Sequence, residues 1–280
     1  MPGTRRFEPL WVRMTVAAPS SQEGGGMDLF SLEGRRALVT GGSKGIGFGI
    51  ARAMALAGAD LILTARNSAE LEQAAAGLRH TGRMVGIAPC DLRDTEKLPS
   101  WYEATVQQHG RPDILVNSAG ITPRSPAHET SLIVWNEAIA LNLTAVFVIS
   151  QAFARHCIAA GCRGRIINIA SLMTVGARRT TSAYAATKGG IGQLTKGLAV
   201  DWADYGILVN AIAPGFIATT LTEPLQNKPD FDAWVKQRCP LGRWGTPEDI
   251  GGPAVFLASS AADFVTGQII FVDGGWIATF

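Results

Sequence analysis

The pattern of this chain predicts one doubly wound α/β domain, a parallel sheet covered by helices on both faces. Three observations carry that expectation. Short segments that are apolar throughout recur along the chain, as strands buried on both faces do, instead of alternating polar and apolar residues. Helical stretches separate them, and regular alternation of strand and helix builds a parallel sheet. A glycine-rich turn joins the first strand to the first helix, where such sheets hold phosphate groups. The 280 residues fit one such domain plus a tail. With 47 % hydrophobic and 17 % charged residues the chain can bury a core and is not compositionally disordered.

Ala37-Leu38-Val39 reads as the first strand, followed by the glycine turn and a helix over 47–57. Leu61-Ile62-Leu63 is the second strand, with a helix over 68–81 behind it. A strand over 85–88, a helix over 95–109 and the strand Ile114-Leu115-Val116 come next. Strands over 165–169, 208–212 and 269–272 complete the set, and Tyr184 to Lys188 lies in a helical stretch. No internal repeat or second core is evident, so the domain is expected over 27–280, with a Rossmann-type architecture. Residues 1–26 differ in composition and end in Ser20-Ser21-Gln22-Glu23-Gly24-Gly25-Gly26. They are expected to form a flexible extension, one that could even lie upstream of the natural start.

The net charge of +2 gives no electrostatic footprint for nucleic acid or an anionic membrane. Cys90, Cys157, Cys162 and Cys239 form no Cys-x-x-Cys pair, and His80, His109, His128 and His156 are scattered. No metal site is expected, and reduced thiols in a cytoplasmic protein are. No uninterrupted apolar run approaches the ~20 residues that span a bilayer. Arg5-Arg6 hints at a twin-arginine export signal, but none is expected, because Glu8, Pro9 and Arg13 interrupt any apolar region after it.

The turn reads Thr40-Gly41-Gly42-Ser43-Lys44-Gly45-Ile46-Gly47. Glycine suits a backbone that must turn sharply and approach a pyrophosphate with no Cβ in the way. The helix that follows presents free N–H groups and a partial positive charge to the phosphates. The spacing is neither Gly-x-Gly-x-x-Gly nor a Walker loop. The second strand ends in Thr64-Ala65-Arg66-Asn67, with no carboxylate to bond a ribose 2′-hydroxyl. Arg66 there, helped by Lys44, suits a 2′-phosphate. NADP is therefore the expected cofactor and NAD the alternative.

Ser171, Tyr184 and Lys188 follow in the second half. The (i, i+4) spacing puts Tyr184 and Lys188 on one helix face. A phenol titrates near ~10, too high for a base at neutral pH, and a neighbouring ammonium lowers it. Tyr184 then takes a substrate hydroxyl proton as hydride leaves the carbon, and donates it in the reverse direction. Ser171 ends a strand and is placed to bond the substrate oxygen. Alone, a Tyr-x-x-x-Lys pair reads first as an exposed helix pair; the serine at a strand end and the glycine turn favour chemistry.

With these motifs together the chain resembles the short-chain dehydrogenase/reductase family over roughly 30–280. The resemblance rests on the glycine turn, Asp91, Asn117-Ser118-Ala119-Gly120, Ser171 with Tyr184 and Lys188, and Pro214-Gly215. It implies hydride transfer between a nicotinamide cofactor and a secondary alcohol or ketone. It further implies that Asp91 bonds the adenine amino group beside Leu92, and that Asn117, Ala119 and Gly120 lie along the cofactor. Pro214, Gly215, Ile217 and Thr219 would close over the nicotinamide, Lys188 would also bond its ribose, and Asn142 would hold a water in a proton relay. The family's usual assembly is a homotetramer.

Flanking pieces are similar to a sub-group acting on sugar acids, which includes gluconate 5-dehydrogenases and 2-deoxy-D-gluconate 3-dehydrogenases. They are Asp28-Leu29-Phe30-Ser31-Leu32, Gly45-Ile46-Gly47-Phe48-Gly49, Arg243-Trp244-Gly245 and Asp273-Gly274-Gly275-Trp276. Arg124 matches an arginine of that sub-group and would hold a substrate carboxylate, although Pro123 replaces a second arginine common there. Arg178-Arg179 lies between Ser171 and Tyr184, near the expected pocket mouth, and reads first as a solvated or intersubunit pair, or as a landing point for an acidic carrier protein. The stretch 217–240 is where the family places a mobile lid. The alternatives to a sugar-acid enzyme are an NADPH-dependent 3-oxoacyl-[acyl-carrier-protein] reductase and, in another class, a non-catalytic dinucleotide-binding module.

Overall fold

The computed structural model describes residues 28–279, so the expected extension over 1–26 lies outside the described residues. Strands β1 (Arg36–Thr40), β2 (Asp60–Thr64), β3 (Val85–Ile87), β4 (Ile114–Asn117), β5 (Gly164–Ile169), β6 (Ile207–Pro214) and β7 (Ile269–Val272) form one sheet. Their order is β3-β2-β1-β4-β5-β6-β7, and every pairing is parallel. The chain reverses its direction of progress between β1 and β4, which opens a crevice at the carboxyl ends of those strands.

The helices are α1 (Gly45–Leu56), α2 (Ser68–Arg79), α3 (Leu98–His109), α4 (Leu132–Ile139), α5 (Ala145–Ala160), α6 (Ser182–Trp202), α7 (Glu223–Gln226), α8 (Pro229–Arg238) and α9 (Pro247–Ala258). Successive strand side chains point to opposite faces. In β1, Ala37 and Val39 join a core with α1, α2 and α9, while Leu38 joins the opposite core with α3, α5 and α6. This division explains the unbroken apolar runs. The edge strand β7 departs from the expectation of full burial, because each of its residues is only partly buried.

On the first face α1 and α9 pack backbone against backbone. A Cβ on Gly49 would lie 2.6 Å from the Cβ of Pro247, and one on Gly251 would lie 2.6 Å from the Cβ of Ala53. The start of α9 is fixed by a reciprocal cap between Thr246 and Asp249. Hydrogen bonds from Arg243 hold the Asp249 carboxyl at about 2.

On the second face a π-helical turn, Ala140–Thr144, joins α4 to α5. The continuous helix Leu132–Ala160 is long and apolar enough to cross a membrane by length and composition, with a mean hydropathy of 1.9 in its most apolar window. The run is not uninterrupted, since Asn136, Glu137 and Asn142 fall within it, as the sequence expectation holds. Here the helix lies against the sheet, with Ala145, Ile149, Ala152 and Phe153 packed beneath it.

Candidate active site

The turn after β1 is shaped by backbone contacts that only glycine allows. Gly41 has φ +67°, and a Cβ on Gly47 would lie 2.2 Å from the Gly41 carbonyl oxygen. Thr40 Oγ1 accepts hydrogen bonds from the backbone N–H of Ser118 at 2.9 Å and of Ala119 at 3.1 Å. The glycine turn and the loop after β4 are thereby held together. Lys44 at the start of α1 makes no side-chain cap, so the helix end offers its N–H groups to an anion.

Beyond this turn lies a cavity of about 1000 Å³ that runs from Arg66 and Asp91 past the glycine turn to Tyr184 and Thr219. Every residue expected to touch cofactor or substrate lines it except Asn117. The Asn117 side chain turns inward instead, where its amide donates to Ser150 Oγ at 3.1 Å and Asn168 Oδ1 at 2.9 Å. It ends β4 on the face toward α5, so Ser118, Ala119 and Gly120 form the wall. Length, the bare glycine turn and the open helix end together fit an extended dinucleotide.

At the far end Arg66 is exposed on the cavity rim with no acidic ion-pair partner among the described residues. Lys44 Nζ lies 3.0 Å from Glu70 Oε2, so the lysine expected at a phosphate is paired here with a carboxylate. Asp91 is bound by Arg93, through Nη2 at 2.6 Å and the backbone N–H at 3.0 Å. The Arg93 hydrogen bonds hold the Asp91 carboxyl below its ordinary value. Arg93 lines the cavity and was not among the expected residues; an arginine two positions after an aspartate carries no pattern that marks a site.

At the near end β5 delivers Ser171. Its Oγ accepts from the Met173 N–H at 3.2 Å, and its own N–H donates to Thr174 Oγ1 at 3.3 Å. Thr174 in turn donates to the Lys188 carbonyl at 3.1 Å, tying the strand end to α6. Lys188 is only 7 % exposed, and its Nζ donates to the Ile169 carbonyl at 2.5 Å. Burial lowers its pKa to about 8. The ammonium stands 5.7 Å from the Tyr184 ring centre.

The Tyr184 ring is partly open to the cavity, yet burial raises its phenol pKa. The Ser171 and Thr122 hydroxyls and the charge of Arg124 pull the other way. The lowering expected from Lys188 does not appear: its ammonium donates to the Ile169 carbonyl, and burial dominates the phenol. Thr122 was missed because nothing in its sequence position marks it. Asn142 sits behind the wall in the π-helical turn. It accepts from the Ile121 N–H at 2.9 Å, and donates to the Ile121 carbonyl at 2.8 Å and to Thr187 Oγ1 at 3.2 Å. It fixes the loop that carries Thr122 and Arg124.

Arg124 lines the cavity near Tyr184, as expected. Arg178 corrects the reading of a solvated or intersubunit pair: it also lines the cavity, while Arg179 is exposed. The stretch expected as a mobile lid folds into α7 and α8, and its aromatic side chains pack beside Arg178.

A hydroxyl pair, a phenol and an ammonium at one end of a dinucleotide-sized crevice define a nicotinamide-dependent oxidoreductase. The chain belongs to the short-chain dehydrogenase/reductase family. A family model described as enoyl-(acyl carrier protein) reductase matches residues 41–277. Gluconate 5-dehydrogenase from Gluconobacter oxydans is 44 % identical over 89 % of this chain and 96 % of its own length. The 2-dehydro-3-deoxy-D-gluconate 5-dehydrogenase from Escherichia coli is 42 % identical over 90 % of this chain and 99 % of its own. A gluconate 5-dehydrogenase from Burkholderia cenocepacia, solved with NADP and tartrate, superposes with a TM-score of 0.87 at 42 % identity, covering 91 % of this chain and 99 % of that one.

Proposed function

We propose that this protein oxidises a secondary hydroxyl of a sugar acid such as gluconate, or reduces the corresponding keto acid, with NADP(H). One observation carries the reading: Tyr184, Ser171 and Lys188 share the end of the cavity with two arginines, Arg124 and Arg178, that have no acidic ion-pair partner among the described residues. Arg178 is half-buried and Arg124 exposed at the cavity mouth, and a desolvated cation without a counter-ion favours an anionic ligand. The relatives named for gluconate and ketodeoxygluconate, and the NADP in the Burkholderia structure, support the same substrate class and cofactor.

The glycine turn and the start of α1 would hold the pyrophosphate, Arg66 the 2′-phosphate, Asp91 the adenine, and Lys188 the nicotinamide ribose. Asn142 would add a water relay behind the lysine. The nicotinamide, when bound, supplies or accepts the hydride. Ser171 Oγ donates to the substrate oxygen, and Tyr184 Oη takes the hydroxyl proton in oxidation or returns it in reduction. Lys188 keeps a positive charge beside the phenol and favours its ionised form. Arg124 anchors the carboxylate.

An assembly of identical subunits, a homotetramer, belongs to this reading. Leu132 is 76 % exposed, Ile133 74 % and Val200 79 % on the outer sides of α4 and α6, and exposed apolar faces of this kind favour association. The free thiols of the four cysteines suit the reducing cytoplasm.

The test is a side-by-side set of initial rates followed by nicotinamide absorbance. Gluconate and related aldonates are assayed with NADP+ and NAD+, and an acetoacetyl thioester with NADPH. Aldonate turnover with a preference for NADP+ is the expected result. Thioester turnover without aldonate turnover would move the assignment to an acyl-carrier-protein reductase.

A further inference from the structure

The loop over 175–181 approaches the catalytic end in an unusual way. Thr180 is the only non-glycine residue with positive φ among the described residues, at +67°. A side chain in that conformation is uncommon and persists where its surroundings impose it. Two ties impose it here. Thr181 Oγ1 accepts from the Arg178 N–H at 3.3 Å and donates to the Arg178 carbonyl at 2.8 Å. The Ser125 N–H donates to the Thr180 carbonyl at 3.0 Å. The second bond joins the loop of Arg178 directly to the loop of Arg124.

The side chain of Arg178 is held as firmly as its backbone. Its guanidinium carbon lies 4.8 Å from the ring centre of Phe231, 5.0 Å from that of Trp234 and 5.3 Å from that of Phe216. Phe216 follows β6, while Phe231 and Trp234 belong to α8. Cation–π contact with these three rings, which are inclined to one another, holds the guanidinium in place. No acidic side chain pairs with it among the described residues, and no side-chain hydrogen bond engages it. Burial, with the nearby Arg124 charge second, lowers its pKa, so the two cations feel each other across the cavity.

We propose that Arg178 is a specificity-determining residue: together with Arg124 it forms a two-arginine clamp for the carboxylate of the substrate, and its aromatic platform couples α8 to carboxylate binding. Two like charges held together without counter-ions repel, and a shared anion relieves that repulsion. A carboxylate has two oxygens and accepts from both forks. A neutral polyol of the same length offers no such partner, so the clamp selects acids over alcohols. Because Phe231 and Trp234 lie against the guanidinium, carboxylate binding also fixes the position of the α8 helix.

This proposal rests on the sugar-acid reading, and the experiment separates the two. The holoenzyme and its Arg178→Ala, Arg178→Gln and Arg178→Lys variants are compared on an aldonate and on the corresponding neutral polyol, with Tm and cofactor KM as controls. Loss of one charge-assisted contact is expected to raise the aldonate KM about 10- to 100-fold in the Ala and Gln variants. The cofactor KM and the polyol rate should stay within about twofold. Lys should recover only part, since it keeps the charge without the fork. Tryptophan fluorescence should change on adding aldonate and not polyol in the wild type, and this change should be lost in Trp234→Phe; a change kept in Trp234→Phe would overturn the coupling to α8. An unchanged aldonate KM, or equal losses on aldonate and polyol, would overturn the proposal. If the wild type turns over neutral substrates alone, the sugar-acid reading fails, but the clamp is still read by competitive inhibition. Aldonate inhibition lost in Arg178→Gln would support it, and equal inhibition of variant and wild type would overturn it.

Discussion

At neutral pH Lys188 keeps most of its charge inside the protein, because burial lowers its pKa only to about 8. An unfolded lysine titrates near ~10.4. The folded state therefore binds this proton less readily than the unfolded one. Stability falls as the pH is lowered from about 10.4 to about 8, and below that the full cost, roughly 3 kcal/mol, is present. Lys188→Met should remove that cost. Its Tm at pH 7 is expected to rise by several degrees, at roughly 2–4 °C per kcal/mol for a domain of this size, with no gain near pH 10.5 and no turnover. A lower Tm at pH 7 in calorimetry would mean that the bond to the Ile169 carbonyl outweighs the burial of the charge. The positions of Tyr184 and Lys188 were legible because one helical turn fixes their spacing whatever surrounds them. The orientation of Asn117, the role of Thr122 and the aromatic setting of Arg178 were not, although Arg178 could be placed near the pocket mouth. Which way Asn117 points depends on the polar network of Ser150 and Asn168, and the setting of Arg178 depends on aromatic residues from about 40 to 55 positions further along the chain.

The seven strands were readable as elements because burial on both faces leaves unbroken apolar runs, and β7 showed the limit of that signal, being apolar yet half-exposed at the edge. Helices were less legible. The π-helical turn that fuses α4 with α5 has no sequence mark, and it is what brings Asn142 to the loop after β4. The crossing of α1 and α9 was equally hidden, since glycine at 49 and 251 gives no sign of its distant partner. Gly49→Ala should force the helices apart, its Cβ falling 2.6 Å from that of Pro247. Overpacking of this kind costs about 1–3 kcal/mol, and a denaturant midpoint lowered with unchanged slope is the expected measurement. An unchanged midpoint would show that α9 can shift freely. Since α1 also presents the glycine turn, the same variant should weaken cofactor binding.

Across the whole molecule the parallel order of strands delivers every chemical group to one edge. The carboxyl ends of β1, β2 and β4 bring the glycine turn, Arg66 and the loop of Arg124, and those of β5 and β6 bring Ser171 and Pro214. Only the folded sheet sets Arg66 and the glycine turn towards one end, and Ser171 and Tyr184 towards the other, of one cavity of about 1000 Å³. The fold was therefore legible from local pattern, whereas the substrate end, assembled from the loops after β4, β5 and β6, was legible only through resemblance. Wild type and Tyr184→Phe should be compared for aldonate oxidation with NADP+, alongside NADPH binding by fluorescence. Proton transfer by Tyr184 predicts a fall in kcat of about 10²- to 10⁴-fold with NADPH affinity unchanged. Full turnover by Tyr184→Phe would contradict it and require another proton carrier in the cavity.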